Sequence, residues 1–263
     1  MELRGYKVGS QIGESSKCRL YLGDIATKQV VIKVAKTFED GDFLAEEANW
    51  FGVVNSFIKQ VAVMQKELGE TDAHYDWLFA GLVSSFLEPT QEDRRINLLR
   101  VTDVELSDLV PLPKLREQTQ IDVRTSVWIL GRFLKIYSFY ELMSSSGDNP
   151  IFKYANFSPG DFLIGPKTHR LIYYHHSGHT TDVVATTHVK PIVQFILDWM
   201  AAEDGLSEQA YIELLQDFAT KGRLSFEEAH AELYKLVREL WGIQYHPFTY
   251  RKEFGVWQQI KEG

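Results

Sequence analysis

Lys33 sits inside the run Val30-Val31-Ile32-Lys33-Val34-Ala35. An ammonium group with apolar neighbours on both sides points to a strand buried on both faces, although lysine is ordinarily exposed. Glu47 falls in line with Phe43, Trp50 and Val54 at helical spacing. An acid within such an apolar stripe needs a buried partner. Glu46 is the fallback acid of that helix. Further on, Asn156 and Asp161 bracket Phe157-Ser158-Pro159-Gly160. Asp161 offers the hard oxygen that a magnesium ion prefers, whereas Asn156 can orient a hydroxyl but cannot take up its proton as a carboxylate would. Gly13, Ser15 and Ser16 keep one loop tip small enough for backbone amides to approach a phosphate. His169, His175, His176, His179 and His188 lie close in sequence. Imidazoles at such spacing can bind zinc, but no cysteine and no nearby acid completes a familiar site. With Gly178 and Thr180-Thr181 the cluster reads instead as a loop, whose threonines are candidates for phosphorylation on exposure alone.

These residues need elements to place them. Residues 6–12, 18–24 and 29–35 read as three short strands, the last of them β-branched. A helix is expected over 41–65, and a polar loop over 67–76. Val83–Leu87 and Arg95–Val101 read as two more strands around a Glu88-Pro89-Thr90-Gln91-Glu92-Asp93 turn. After Pro111 and Pro113 the pattern is helical, with Val127, Leu130, Leu134, Tyr137 and Glu141 marking one line of a long amphipathic helix over 122–143. Two short extended runs, Asp161–Ile164 and His169–Tyr174, turn at Gly165-Pro166-Lys167-Thr168. Helices are then expected over 189–202, 207–219 and 225–241. Ser225 with Glu228 forms a capping-box pattern at the last start, and Gly242 is a plausible stop.

Four segments in this order resemble the protein kinase family. Ile12-Gly13-Glu14-Ser15-Ser16-Lys17-Cys18-Arg19-Leu20 stands where the family carries G-x-G-x-x-G-x-V, with only the first glycine kept. Val31-Ile32-Lys33-Val34-Ala35 is similar to its V-A-I-K strand, and Lys33 follows Gly13 by 20 residues. Phe43-Leu44-Ala45-Glu46-Glu47-Ala48 resembles the helix that supplies the lysine's glutamate. Tyr154-Ala155-Asn156-Phe157-Ser158-Pro159-Gly160-Asp161-Phe162-Leu163-Ile164 resembles the catalytic loop, especially the H-G-D-x-x-P-G-N-x-L-[IV] form of small-molecule kinases. Downstream, Arg223-Leu224-Ser225-Phe226-Glu227-Glu228-Ala229 resembles the start of the last kinase helix. The resemblance implies an α+β, two-lobed fold: a small, mainly antiparallel β lobe with one helix over 1–101, a hinge over 102–111 and a larger α-helical lobe over 112–263. It implies ATP as the ligand, held by Gly13, Ser15, Lys33 and Glu47.

The resemblance fails where the family keeps its acids. Tyr154 replaces the loop histidine, Asn156 the catalytic aspartate and Asp161 the metal-binding asparagine. The second metal-binding aspartate should fall near Tyr173 or Tyr174, and no Asp or Glu occurs from Gly165 to Thr181. Phosphoryl transfer needs metal ions to neutralise developing charge, and tyrosine and histidine are poor substitutes for carboxylates. Asp161 alone could hold one magnesium ion. The leading expectation is therefore a catalytically inactive pseudokinase that binds a protein partner, with or without nucleotide at Lys33 and Glu47. An unconventional ATP-dependent phosphotransferase using Asp161 is the alternative, and a purely structural interaction module without nucleotide is the third. Lys33 could equally serve only to brace the helix through Glu47.

Composition narrows the partners. Across 263 residues the net charge is −8, so no nucleic-acid-binding face is expected. No run approaches the roughly 18 apolar residues of a membrane span, and Met1–Gly5 lacks a signal-like apolar core. With a single cysteine, Cys18, the expectation is a cytoplasmic protein. The aromatic-rich tail, from Trp241 through Tyr245, Phe248 and Tyr250 to Phe254 and Trp257, is expected to pack back on the helical lobe, with a docking surface as the other reading.

Overall fold

The structure, a computed structural model, describes residues 2–3, 6–25, 28–69, 74–102, 104–145, 157–176, 189–201, 205–221 and 224–242. The chain forms two compact units, residues 1–111 with 160–179, and residues 112–159 with 180–263. Asn156, Tyr154, His179, His188, Thr180, Thr181 and the aromatic tail beyond Gly242 lie outside the described residues.

The first unit is built on a six-stranded antiparallel sheet in the order β1-β2-β3-β4-β6-β5. Its strands are β1 (Glu2–Leu3), β2 (Tyr6–Glu14), β3 (Cys18–Ile25), β4 (Lys28–Ala35), β5 (Gly81–Glu88) and β6 (Arg94–Arg100). Strand alternation divides β4 between two apolar faces. Val30, Ile32 and Val34 pack with Ile96 and Leu98 on one side. Ala35 packs with Cys18 and Leu44 on the other. Leu44 belongs to α1 (Asp40–Glu67), which lies against β5 and β6. The face of β4 that carries Lys33 is therefore the face that meets α1. The extended runs read from sequence appear as β2 to β6, and the helix expected over 41–65 appears as α1.

A second sheet of the same unit has the order β7-β8-β9, from Val110–Pro111, Phe162–Gly165 and Arg170–Tyr173. The buried Asp108 accepts hydrogen bonds from the Lys167 and Thr168 amides (3.1 and 3.0 Å) and from the Thr168 hydroxyl (2.8 Å), fixing the β8–β9 turn. A Cβ on Gly165 would stand 2.9 Å from Asp108 Oδ2, so glycine is what lets the carboxylate close in. At its other end β9 is stitched to residues 78–80, with the Tyr173 amide donating to Leu78 O (2.8 Å) and the Ala80 amide to Tyr173 O (2.9 Å).

The second unit is helical: α2 (Leu112–Gln118), α3 (Val123–Ser145), α4 (Lys190–Leu197), α5 (Leu206–Thr220) and α6 (Phe226–Trp241). α3 packs against α4, α5 and α6. Asp122 accepts from the Thr125 amide (2.7 Å) ahead of α3, as a helix cap does. The expected capping box is present at α6, where Ser225 and Glu228 bond reciprocally, and Glu141 accepts from the Phe226 amide (3.0 Å). Gly242 ends α6 with a positive φ of 85°, the conformation that favours glycine.

The sequence placed a hinge over 102–111 and helix after Pro113, so the short strand β7 and the separate helix α2 were not resolved there. Pro111 instead sits in an edge strand, and Pro113 in the first turn of a helix, where a missing N–H costs little. α4 ends at Leu197 instead of near residue 202, because Trp199 and Ala201 exchange backbone hydrogen bonds with Ile121 (3.2 and 2.9 Å). Among the described residues no helix is long and apolar enough to cross a membrane.

Two stability measurements check this account of the helical unit. Ser225→Ala removes one arm of the capping box and should cost about 1 kcal/mol in urea unfolding at pH 7. Burial, then the Lys135 and Arg132 charges, hold the His230 imidazole down to about 4. Its folded value lies below its unfolded value of 6.5, so the unfolded chain binds more protons between these limits. The associated stability is full above pH 6.5 and is lost as pH falls toward 4. His230→Gln should therefore lose less stability than the parent chain between pH 7 and pH 4.5, and equal losses would contradict this assignment.

Candidate functional site

Lys33 points from β4 into the first unit and is fully buried, as is Glu47 on α1. Their register explains the meeting. Lys33 pairs with Leu20 on β3 and with Asn97 on β6, so the three side chains share the face covered by α1. Glu47 is on the buried side of α1 with Leu44, Ala48, Trp50, Phe51 and Val54, whereas Glu46 is exposed. The structure thus brings Lys33 and Glu47 together in a buried ion pair, Lys33 Nζ donating to Glu47 Oε1.

Glu47 collects further donors. Asn97 Nδ2 donates to Glu47 Oε2 (3.1 Å) and to Leu44 O (2.8 Å). The His176 amide donates to Glu47 Oε1 (3.1 Å). Burial alone would raise the Glu47 carboxyl, but the Lys33 ammonium and then the His175 contact outweigh it and hold the carboxyl well below the usual range. Glu47 is a fixed anion here.

Lys33 is equally committed. Besides Glu47, its Nζ reaches Tyr174 O (3.3 Å) and His175 Nδ1 (2.6 Å), and lies 5.2 Å from the Tyr174 ring centre. An ammonium has three hydrogens, and two oxygen acceptors and an imidazole nitrogen surround this one. His175 Nδ1 also lies 2.9 Å from Glu47 Oε1. One ring nitrogen cannot both donate to the carboxylate and accept from the ammonium. Burial, then the Lys33 charge, push the His175 imidazole below its ordinary value, which favours the neutral ring. Acceptance from Lys33 places the ring proton on Nε2, whereas donation to Glu47 places it on Nδ1.

The segment after β9 is clamped along α1. The His175 ring meets Phe43 edge-on at 5.4 Å, and the His176 ring stacks on Trp50 at 4.4 Å and 7°. His176 Nδ1 lies 3.1 Å from the Tyr173 hydroxyl. Phe43, Glu47 and Trp50 are thus one continuous receiver for residues 174–176. This is where the family resemblance led us to expect an aspartate near Tyr173 or Tyr174. Tyr173 is still paired within β9, and Tyr174 and His175 are what face Lys33.

Asp161 ends the short helical turn Pro159–Asp161 and is buried. Its carbonyl accepts from the Tyr174 and His175 amides (3.0 and 3.3 Å), so it anchors the same segment. Burial, then the Cys18 and Asp161 charges, keep the Tyr174 phenol protonated far above its usual range. Gly13 lies in β2 opposite Leu20, and the hairpin that follows is closed on itself. Ser15 Oγ accepts from the Lys17 and Cys18 amides (3.2 and 3.1 Å), and the Ser15 amide donates to Cys18 O (2.8 Å).

Magnesium–ATP, which a kinase resemblance implies, would have to compete with contacts already made within the protein. The hydrogens of Lys33 go to protein acceptors, and three amides of the hairpin tip are engaged within the hairpin. Among the described residues no group of three or more His, Cys, Asp or Glu side chains could hold a metal ion. Two residues of the site were not singled out for it from sequence. Asn97 was signalled by its type alone, an amide between Ile96 and Leu98 in an otherwise apolar strand. His175 was visible only as one of a histidine cluster, because its partner Glu47 lies 128 residues away in sequence.

Comparison with known proteins finds no matching family model and no matching curated protein. Solved structures do match. Vaccinia related kinase 3 aligns with a TM-score of 0.54 at 10% identity, covering 93% of this chain and 90% of that one. The kinase domain of Mycobacterium tuberculosis PknI aligns with a TM-score of 0.47 at 9% identity, covering 90% and 97%. At this identity the likeness is one of architecture, and it agrees with the sheet, α1 and the Lys33–Glu47 pair: the chain has an α+β, protein-kinase-like fold.

Proposed function

We propose that this chain is a pseudokinase: a kinase-fold domain that acts by binding a protein partner and does not carry out ordinary phosphoryl transfer. The observation that carries the reading is the commitment of Lys33. Its ammonium is surrounded by Glu47, Tyr174 O and His175 Nδ1, where a kinase lysine would reach phosphate oxygens. The sequence supports it further, since Gly165 to Thr181 contains no carboxylate to hold a second metal. The role left to Lys33 is to neutralise Glu47 and hold α1 on the sheet. For the partner, β5, the edge strand of the sheet among the described residues, exposes Val83 and Leu87, and the end of α1 exposes Val63, Met64 and Leu68. Apolar side chains on an edge strand suit an extended or apolar segment of another protein.

Two experiments test the reading. Purified protein with ATP and either magnesium or manganese should release no phosphate and label no substrate above a denatured control. Metal-dependent turnover that disappears in Asp161→Ala would instead carry the transferase alternative. Lys33→Met leaves the Glu47 carboxylate buried without its cation and should destabilise the fold by about 3–5 kcal/mol in chemical unfolding. Pairing it with Glu47→Leu should restore most of that loss. A single-variant loss below about 1 kcal/mol would show that Lys33 is not a brace.

A further inference from the structure

We infer that His175 is a built-in occupant of the Lys33 anion site, and that withdrawing its ring opens the site to the phosphates of a metal-free nucleotide. This rests on the pseudokinase reading and deepens it by saying what closes the pocket.

Three observations converge on His175. Its Nδ1 stands 2.6 Å from Lys33 Nζ, so the ring fills the space beside the ammonium, and a neutral ring protonated on Nε2 presents its lone pair there. A phosphate oxygen makes the same demand on an ammonium, a hydrogen bond at short range, with charge in addition. The ring is held from both sides, by Phe43 edge-on at 5.4 Å and by the His176 amide anchored on Glu47 Oε1 (3.1 Å), while His176 itself stacks on Trp50. The side chain keeps 12% of its surface exposed, so the occupant sits at the margin of the site and not deep within it. The groups that face it are Lys33 on β4, Glu47 on α1 and Tyr174 beside it, and Cys18 on β3 and Asp161 are the other titratable groups of this neighbourhood. Of these only Lys33 is a cation. Removing the ring therefore returns one ammonium hydrogen and a small opening beside it, without creating a metal site.

The test is ATP binding in EDTA, read by thermal shift and by calorimetry, on the parent chain, on His175→Ala and on His175→Ala combined with Lys33→Ala. His175→Ala should bind ATP about tenfold or more tightly than the parent, the expected gain from one hydrogen bond to a charged group. The double variant should lose that gain. Equal affinity of parent and His175→Ala, or a gain that survives loss of Lys33, would overturn the proposal and leave the pseudokinase reading standing. Conversely, magnesium-dependent phosphate release by His175→Ala would sink the pseudokinase reading while leaving the occupant in place. If His175→Ala does not fold, the parent chain still decides the matter through its imidazole 15N shifts. An unprotonated, hydrogen-bonded Nδ1 at pH 7 is required, and a protonated Nδ1 would refute the contact with Lys33.

Discussion

A lysine and a glutamate buried together are the constraint around which the first unit is arranged. Neither charge is tolerable alone at full burial, and together they still need their remaining hydrogens and lone pairs satisfied. Asn97 on β6 and, at the exit of β9, the His176 amide, Tyr174 O and His175 supply those partners, two stretches of chain far apart in sequence. The ion pair thereby specifies that β4, β6, α1 and the exit of β9 meet in one register. A shift of β4 by one residue would turn Lys33 to the opposite face, against Ile96 and Leu98, in an apolar cluster.

The same saturation gives the domain its chemical character. Fold does not decide activity, and the atoms at the site do. Here residues that the kinase resemblance assigns to nucleotide and metal are bonded within the protein. Ser15 consumes amides of its own hairpin, Lys33 consumes its hydrogens on protein acceptors, and the carbonyl of Asp161 is spent on the Tyr174 and His175 amides. Internal satisfaction makes a rigid polar network, because a half-satisfied one would be costly at this burial.

How far the sequence led depends on the range of the interaction. Strands β2 to β6 and helix α1 were legible because β-branched runs and a four-three-four spacing are local signals. The Ser225–Glu228 box and the Gly242 stop were legible for the same reason. Glu47 was separable from Glu46 by which face of the helix each occupies. The two-residue strand at Val110–Pro111 was not legible within the expected hinge, because so short a run carries no period and its pairing partner β8 lies about fifty residues on. His175 was not assignable, since nothing within its own neighbourhood announces a partner on a helix more than a hundred residues earlier. The kinase resemblance was carried by order and spacing more than by identity, which accords with a shared architecture at 10% identity.

The first unit is discontinuous in sequence, drawing on residues 1–111 and again on 160–179. During synthesis the N-terminal 111 residues leave the ribosome long before the segment that completes them. Until residue 176 has emerged, Glu47 lacks the His176 amide, Lys33 lacks Tyr174 O and His175, and Asp108 has no turn to hold. Nascent chains stalled short of that point must carry an incompletely solvated or incompletely paired charge at the centre of their sheet. The unit therefore closes late in translation, and α2 and α3 are made while it is still open.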